Sequence, residues 1–427
     1  MPLFVSLTIV AALLGMPIVF ALAFGPLAGF VIDGKQVMAQ IGLQRFFAGI
    51  NQFPLLAIPL FILAGEIMNA GEITRRLVTF SKLLVGHLRG GLAHVNILSS
   101  ILFAGLSGSA VADTTALGSM LIPAMEKDGY TRKFATAVTA ASSIIGPIIP
   151  PSIIMIVYAY IMNVSVGALF AAGLVPGLLM GASLMAMTAI IARKRNFPKR
   201  EGLPSRKEAV TGIVQGFFPL MTPVIILGGI LLGIVSPTEA AVLAVAYSLV
   251  LSLVSGTLSP GAIPGLFVRA AKSSSIVLLM IGSASLFGWA LNIAGIPQSL
   301  ARLVLDITEN PILFLLLINL VLFVVGMFLD AGPAILIVGP VLGPTMLGMD
   351  ISPIHFAVIM CLNLTIGLAT PPFGLVLFAS AAVSKLRVGE IVRAMLPFYL
   401  VHILVILAIT LIPDISLALP RLLGYPV

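Results

Sequence analysis

The sequence predicts an all-α polytopic membrane protein, and three observations carry that expectation. Of its 427 residues, 59% are hydrophobic and only 9% are charged. About a quarter of a soluble domain's residues are charged, so this chain cannot clothe a water-facing surface. The apolar runs are long and continuous, which argues for helices rather than the alternating segments of a transmembrane barrel. Gly and Pro recur at a fixed interval along two stretches of the chain, so the helices are expected in two related sets.

The elements follow in order from the need for about 20 apolar residues per crossing. Residues 3–31 are apolar from the start, lack a basic leader and read as the first span. Further continuous candidates are 53–70, 165–192, 214–235, 237–256, 274–294 and 388–412. Shorter stretches, interrupted by Gly, Pro or polar residues, lie at 92–106, 110–125, 134–147, 152–163, 311–329, 333–348, 353–368 and 373–384. Interrupted helices at membrane depth survive only inside protein or along a cavity, so these segments are the informative ones. Residues 72–90, with Arg75, Arg76, Lys82, His87 and Arg89 among leucines, read as a helix lying along the membrane surface, and 258–273 as a weaker second one; an ordinary connecting helix is the alternative for both. The hydrophilic stretch 193–207 carries Arg193, Lys194, Arg195, Lys199, Arg200, Arg206 and Lys207, which assigns it to the cytoplasm and makes it the seam between two halves.

The formal net charge is +8, and the positive-inside bias accounts for it without a nucleic-acid partner. The single cysteine, Cys361, lies in an apolar run and reads as a packing residue. No metalloprotease, P-loop or nucleophile-elbow motif occurs, and the four histidines have no metal-ligand spacing.

The repeat is found by subtraction. Gly105, Pro123, Gly146, Pro150, Pro151 and Pro176 recur at one constant offset as Gly326, Pro344, Gly367, Pro371, Pro372 and Pro397. Upstream, Gly65, Asn69, Ile73 and Leu77 recur, at an offset larger by two, as Gly288, Asn292, Ile296 and Leu300. Gly and Pro fix backbone breaks, so a backbone shape is what repeats. Paired interrupted segments point to a secondary transporter with its binding site near the midplane.

Two pairs of segments carry the chemistry. Ser107, Gly108 and Ser109 lie between two half-length apolar stretches, as at the tip of a re-entrant hairpin. The following half-helix would aim its positive end at an anion there, and carbonyls ending the preceding one are of the kind that ligates Na⁺. A kinked structural helix with the serines bonded to their own backbone is the alternative. In the second half Asp330 stands where Ser109 stands in the first. It reads as a cation ligand, a partner for substrate hydroxyls or a proton carrier, or else as a helix N-cap. Asp113 follows the first tip within one turn, where a helix-stabilising role is equally apt. In I-I-G-P-I-I-P-P-S and T-I-G-L-A-T-P-P-F the proline pair frees carbonyls one turn earlier, suiting a hard cation. Candidate ligands are the carbonyls of Gly146 and Ile149, and those of Gly367 and Thr370 with the Thr370 hydroxyl; a water-satisfied proline kink is the alternative. Glu66 and Glu239 read as structural.

The segments G-E-I-M-N-A-G, S-G-S-A-V-A-D-T-T-A-L-G, I-I-G-P-I-I-P-P-S and G-L-A-T-P-P-F-G closely resemble the large membrane subunit of tripartite ATP-independent periplasmic (TRAP) transporters. The resemblance covers almost the whole chain. It implies an inverted-repeat, elevator-type permease of the ion transporter superfamily, in the inner membrane of a bacterium or archaeon, with two re-entrant hairpins. It also implies sodium-coupled import of C4-dicarboxylates, sialic acid or other sugar acids. The implied partners are a small four-helix membrane subunit, expected as a separate chain, and a periplasmic substrate-binding protein. Matched by motif, one sodium site would use Ser107, Gly146, Ile149 and Pro151, and the other Gly326, Gly367, Thr370 and Pro372. Ser107, Ser109, Ser152 and Asp330 would face the substrate.

On this reading 1–91 is scaffold with an arm helix, 92–163 is the first transport part, and 164–273 is scaffold with the basic loop and a second arm. Residues 274–310 connect scaffold to arm in the second repeat, 311–387 form the second transport part, and 388–427 form the last scaffold span. The competing readings are a stand-alone sodium–carboxylate symporter, told apart by uptake without a binding protein, and an intramembrane enzyme with Asp113 and Asp330 as a dyad. The unequal positions of the two acids in their hairpins count against the enzyme.

Overall fold

A computed structural model describes residues 2–197 and 206–427, so the middle of the basic loop lies outside the described residues. The described residues form helices joined by turns, without strands. Eight of these helices are long and apolar enough to cross a membrane.

The chain opens with α1 (Leu3–Leu13), α2 (Ile18–Ile32) and α3 (Gln36–Ile50). The expected single span over 3–31 is thus two short helices. Gly15 takes a left-handed turn with φ +91° and Pro17 cannot continue α1. The pair folds back on itself: Gly25 lies against Thr8 and Gly29 against Phe4. Next come α4 (Ala57–Ala70) and the strongly amphipathic α5 (Ile73–Val85). The first hairpin is α6 (Gly91–Ser107) and α7 (Ala110–Lys127). The first broken helix is α8 (Arg132–Ser143) and α9 (Ile153–Met162), followed by the 29-residue α10 (Val166–Lys194).

After the seam, α11 (Arg206–Leu231) and α12 (Pro237–Val254) lead to α13 (Ile263–Ile293). Of the segment 258–273, expected as a separate surface helix, residues 263–273 instead open this 31-residue helix. The counterpart of α5 is α14 (Ile296–Ile307), and their first residues, Ile73 and Ile296, are partners in the upstream repeat. The second hairpin is α15 (Pro311–Phe328) and α16 (Ala331–Gly348); the second broken helix is α17 (Pro353–Leu368) and α18 (Leu375–Ser384). Two further helices, α19 (Val388–Leu411) and α20 (Asp414–Leu422), end the chain.

The local signals repeat with the backbone. Ser109 caps α7 and Asp330 caps α16; Thr131 caps α8 and Ser352 caps α17, both pairs in the register of the glycine and proline repeat. The hairpins end on left-handed residues in the same register, Gly129 and Asp350, and the peptide bonds 150–151 and 371–372 are both cis. Glu239, read as structural, closes a capping box with Ser236 at the start of α12.

Parity makes the repeat inverted. From α4 to α10 the chain crosses three times: once in α4, once in the α8–α9 pair and once in α10, since the α6–α7 hairpin returns to its own side. Two more crossings, α11 and α12, bring α13 in from the side opposite α4. Packing agrees, because Leu63 and Ile67 near the end of α4 lie with Leu266 and Ala270 near the start of α13. Glu66, the other lone acid, ties the same antiparallel pair through an ion pair to Arg269 at 2.9 Å.

The core lies along α8 and α17. Every residue from Phe134 to Ser143 and from Ile354 to Leu368 is buried, as expected of helices enclosed on all sides. Their polar groups pair across helices: Asn96 with Thr139 at 2.7 Å, Ser100 with Ser142 at 2.8 Å, and Asn319 with both Asn363 and Thr410. Cys361 is buried here as a packing residue.

Candidate functional site

The first tip is built by three short residues. Gly108 ends α6 at φ +58°, and a methyl group there would lie 2.8 Å from the Pro151 carbonyl oxygen. The tip therefore rests directly on the bend of the first broken helix, and only glycine allows that approach. Ser109 N–H donates to Ser107 Oγ at 3.2 Å, and Ser109 Oγ accepts from Ala112 N–H at 3.4 Å.

Asp113 is the residue that sequence reasoning left unassigned. It is fully buried, and its Oδ1 accepts from the Ser107 hydroxyl. Its Oδ2 has no hydrogen-bond partner among the described residues and points at Gly146, where any methyl group would collide with it. The structure thus brings Ser107 and Gly146 together, two of the four residues expected to ligate one ion, and adds a carboxylate between them. Pro150 and Pro151 have no N–H to offer the carbonyls of Gly146 and Pro147. The Pro147 carbonyl is taken by the Ser152 hydroxyl at 2.5 Å. A buried carboxylate oxygen without a donor, beside freed carbonyls and a hydroxyl, is a donor set that fits a small hard cation.

The second bend is assembled differently. Gly326 and Gly367 touch backbone to backbone, since a methyl group on Gly367 would run into the Gly326 carbonyl carbon. Thr370 is buried; its N–H donates to the Gly367 carbonyl at 2.9 Å and its hydroxyl to Ile366 at 2.8 Å. The carbonyls of Leu368 and Thr370 both converge on Gly374, and Tyr399 holds the Ala369 carbonyl at 2.6 Å. The position equivalent to Asp113 is Ala334, so this half offers neutral oxygens at the matching place.

The four substrate-facing candidates do not share one space. Ser107 is turned to Asp113. Ser109 lines a cleft of about 860 Å³ with Asn69, Glu72, Thr74, Arg75, Thr115 and Ser119, between α7 and the α4–α5 corner. Ser152 is buried, and its hydroxyl is engaged with Pro147 and as the cap of α9. Asp330 is exposed at the second tip, where its Oδ1 accepts from Ala331 N–H at 2.8 Å. The N-cap geometry of Asp330 is thus present, and no carboxyl dyad with Asp113 forms.

A second cleft, about 440 Å³, lies between α3, α9, α13 and α16, lined by Asn292, Gly288, Leu336 and Pro340 among others. Asn292 is the repeat partner of Asn69, Leu336 of Thr115 and Pro340 of Ser119. The two clefts therefore share three repeat-related positions, on α4 and α7 in one half and on α13 and α16 in the other. They are unequal: Thr115 is exposed, whereas Leu336 is 3% exposed.

An inverted repeat of broken helices around two clefts is the architecture of a multi-pass transport protein. The family model of the tripartite ATP-independent periplasmic transporter, DctM component, matches residues 5–415. The chain belongs to this family, whose members are inner-membrane permeases. It is 40% identical to the sialic acid TRAP transporter large permease protein SiaM of Vibrio cholerae, over 96% of each chain. It is also 40% identical to the C4-dicarboxylate TRAP transporter large permease protein DctM of Pseudomonas aeruginosa, over 89% of each. A crystal structure of the YdaH transporter of Alcanivorax borkumensis superimposes with a TM-score of 0.63 over 92% of this chain and 89% of that one, at 16% identity, which is a likeness of fold.

Proposed function

We propose that this chain is the translocating subunit of a sodium-coupled importer for a small organic acid, working by an elevator movement of its two hairpins and broken helices against the remaining helices. The observation that carries the reading is the pair of clefts with repeat-related positions, one of about 860 Å³ and one of about 440 Å³. Exchange of the two is what alternating access requires, and an inverted repeat supplies both states from one backbone design. The organic-acid class follows from the relatives named for sialic acid and C4-dicarboxylates.

Ser107, Asp113, Gly146, Ile149 and Pro151 would hold one sodium ion, and Gly326, Gly367, Thr370 and Pro372 a second. Bound there, the ions supply positive charge that neutralises Asp113 and ties each hairpin to the bend beneath it. Ser109 and Asp330, at the two tips, would meet the substrate, with the N-terminus of α7 favouring its carboxylate. Ser152 would join them only by releasing Pro147. A small membrane subunit and a periplasmic binding protein complete the system on this reading.

The test is uptake into proteoliposomes holding this chain and its co-expressed small subunit, with labelled C4-dicarboxylates and sugar acids. Uptake that needs both a sodium gradient and the binding protein is expected. Uptake without binding protein would make the chain a stand-alone symporter, and uptake indifferent to sodium would remove both ion sites.

A further inference from the structure

A third cavity, about 630 Å³, is lined by Glu72, Arg75, Arg76 and Thr79 of α5, Val214 and Phe218 of α11, and Leu251, Val254 and Ser255 at the end of α12. It lies beside the first hairpin and shares Glu72 and Arg75 with the cleft that Ser109 lines. One wall is basic: Arg76 Nη1 donates to Ser255 Oγ at 3.2 Å, and Arg75 stands 3.9 Å from Glu72. The other wall is apolar and open, with Val214 54%, Phe218 49% and Val254 83% exposed. Gly212 and Gly216 let α11 close onto Leu83 and Phe80 of α5, which shuts the groove at one end.

The depth of this groove is fixed by its neighbours. Gly90, just beyond α5, packs against Ala192 in the last turns of α10, whose end carries the exposed Arg193, Lys194 and Arg195. The basic wall therefore sits at the cytoplasmic headgroup level, and the apolar wall descends from it along α11 and α12. Among the described residues, two guanidiniums and one carboxylate line the groove, a sum of one positive charge. Arginine forks match phosphate oxygens in pairs.

We propose that this groove binds a monoanionic phospholipid of the inner leaflet. Its phosphate lies between Arg75 and Arg76, and one acyl chain runs along Phe218, Val214 and Val254. The charge fits one phosphodiester without a compensating ammonium, and the graded walls fit a molecule that is polar at one end only. A lipid here would brace α5, the element leading directly into the first hairpin.

The chain, purified alone and with its co-expressed small subunit, is delipidated in detergent and titrated by native mass spectrometry. The probes are dioleoyl phosphatidylglycerol, dioleoyl phosphatidylethanolamine and inorganic phosphate. One arginine near a lipid phosphate is worth roughly a fivefold affinity change. Arg76→Gln should therefore weaken phosphatidylglycerol binding roughly fivefold, and Arg75→Gln with Arg76→Gln by roughly thirtyfold. Val214→Trp with Val254→Trp, both on an exposed face, should fill the groove and remove binding without unfolding the chain. Arg76→Lys, which keeps the charge, should retain most of it. Equal affinity for the two lipids, or for wild type and the double arginine variant, would overturn the proposal. Displacement by inorganic phosphate that ignores the tryptophans would reassign the groove to a free anion. Loss of lipid binding when the small subunit is present would reassign it to a protein contact.

Discussion

Asp113 is where residue chemistry and function meet. Its Oδ2 has no donor among the described residues in a fully buried pocket, and Asp113 stays ionised there only with a compensating charge. On the proposed reading that charge is sodium. Asp113→Asn keeps the shape and removes the charge. The sodium concentration for half-maximal uptake should then rise about tenfold or more, as for loss of one charge-assisted contact. An unchanged sodium dependence would return Asp113 to a purely structural role. Thr370→Ala removes a single neutral hydroxyl at the other bend, so its effect on sodium dependence should be smaller, by a factor of about three to ten. The role of Asp113 was not legible in the sequence. A carboxylate in the first turn of a half-helix is already explained by the helix dipole, and Gly146, on a different helix pair, meets it only in the folded bundle.

At the scale of elements, the breaks were the most legible feature. Subtraction aligned Gly105 with Gly326 and Pro150–Pro151 with Pro371–Pro372, and the hairpins, bends and caps fall in that register. The reason is physical: Gly and Pro act on the backbone of their own turn, so their meaning survives without tertiary context. What failed was the reading of two runs, 258–273 and 3–31. Residues 258–273 carry Arg269 and Lys272 on an apolar background, the pattern of a surface helix. The charge of Arg269 is met by Glu66 on α4, and the helix simply continues into the membrane. Residues 3–31 looked like one span because apolar character hides a break that Gly15 and Pro17 impose. The bends also predict stability. Gly326 and Gly367 meet backbone to backbone, so Gly367→Ala forces α15 off α17. Overpacking of this kind costs about 1–3 kcal/mol, to be read as a lowered unfolding temperature in detergent. Gly389→Ala, in open space in the first turn of α19, should leave it unchanged and serves as the control.

At the scale of the whole molecule, inversion turns one structure into a statement about two. Thr115 and Leu336 hold the same place in the two halves, yet one is exposed in a cleft of about 860 Å³ and the other is closed beside one of about 440 Å³. The wider cleft lies on the α5 side, the side of the basic loop, which the positive-inside rule assigns to the cytoplasm. If the halves exchange roles during transport, the accessibilities of these two positions must move in opposite directions. Thr115→Cys and Leu336→Cys, made singly in a Cys361→Ala background, would report this through their rates of reaction with a charged, membrane-impermeant maleimide added from either side of a proteoliposome. Under resting conditions the Thr115 site should react from the cytoplasmic side and the Leu336 site hardly at all. Turnover with sodium, substrate and binding protein should slow the first and speed the second, from the opposite face. The reciprocity is the decisive part. A rigid scaffold with one permanent vestibule would give a constant rate at Thr115. A local flicker of the first hairpin would change Thr115 and leave Leu336 untouched. Only a movement that carries both hairpins together couples the two positions with opposite sign.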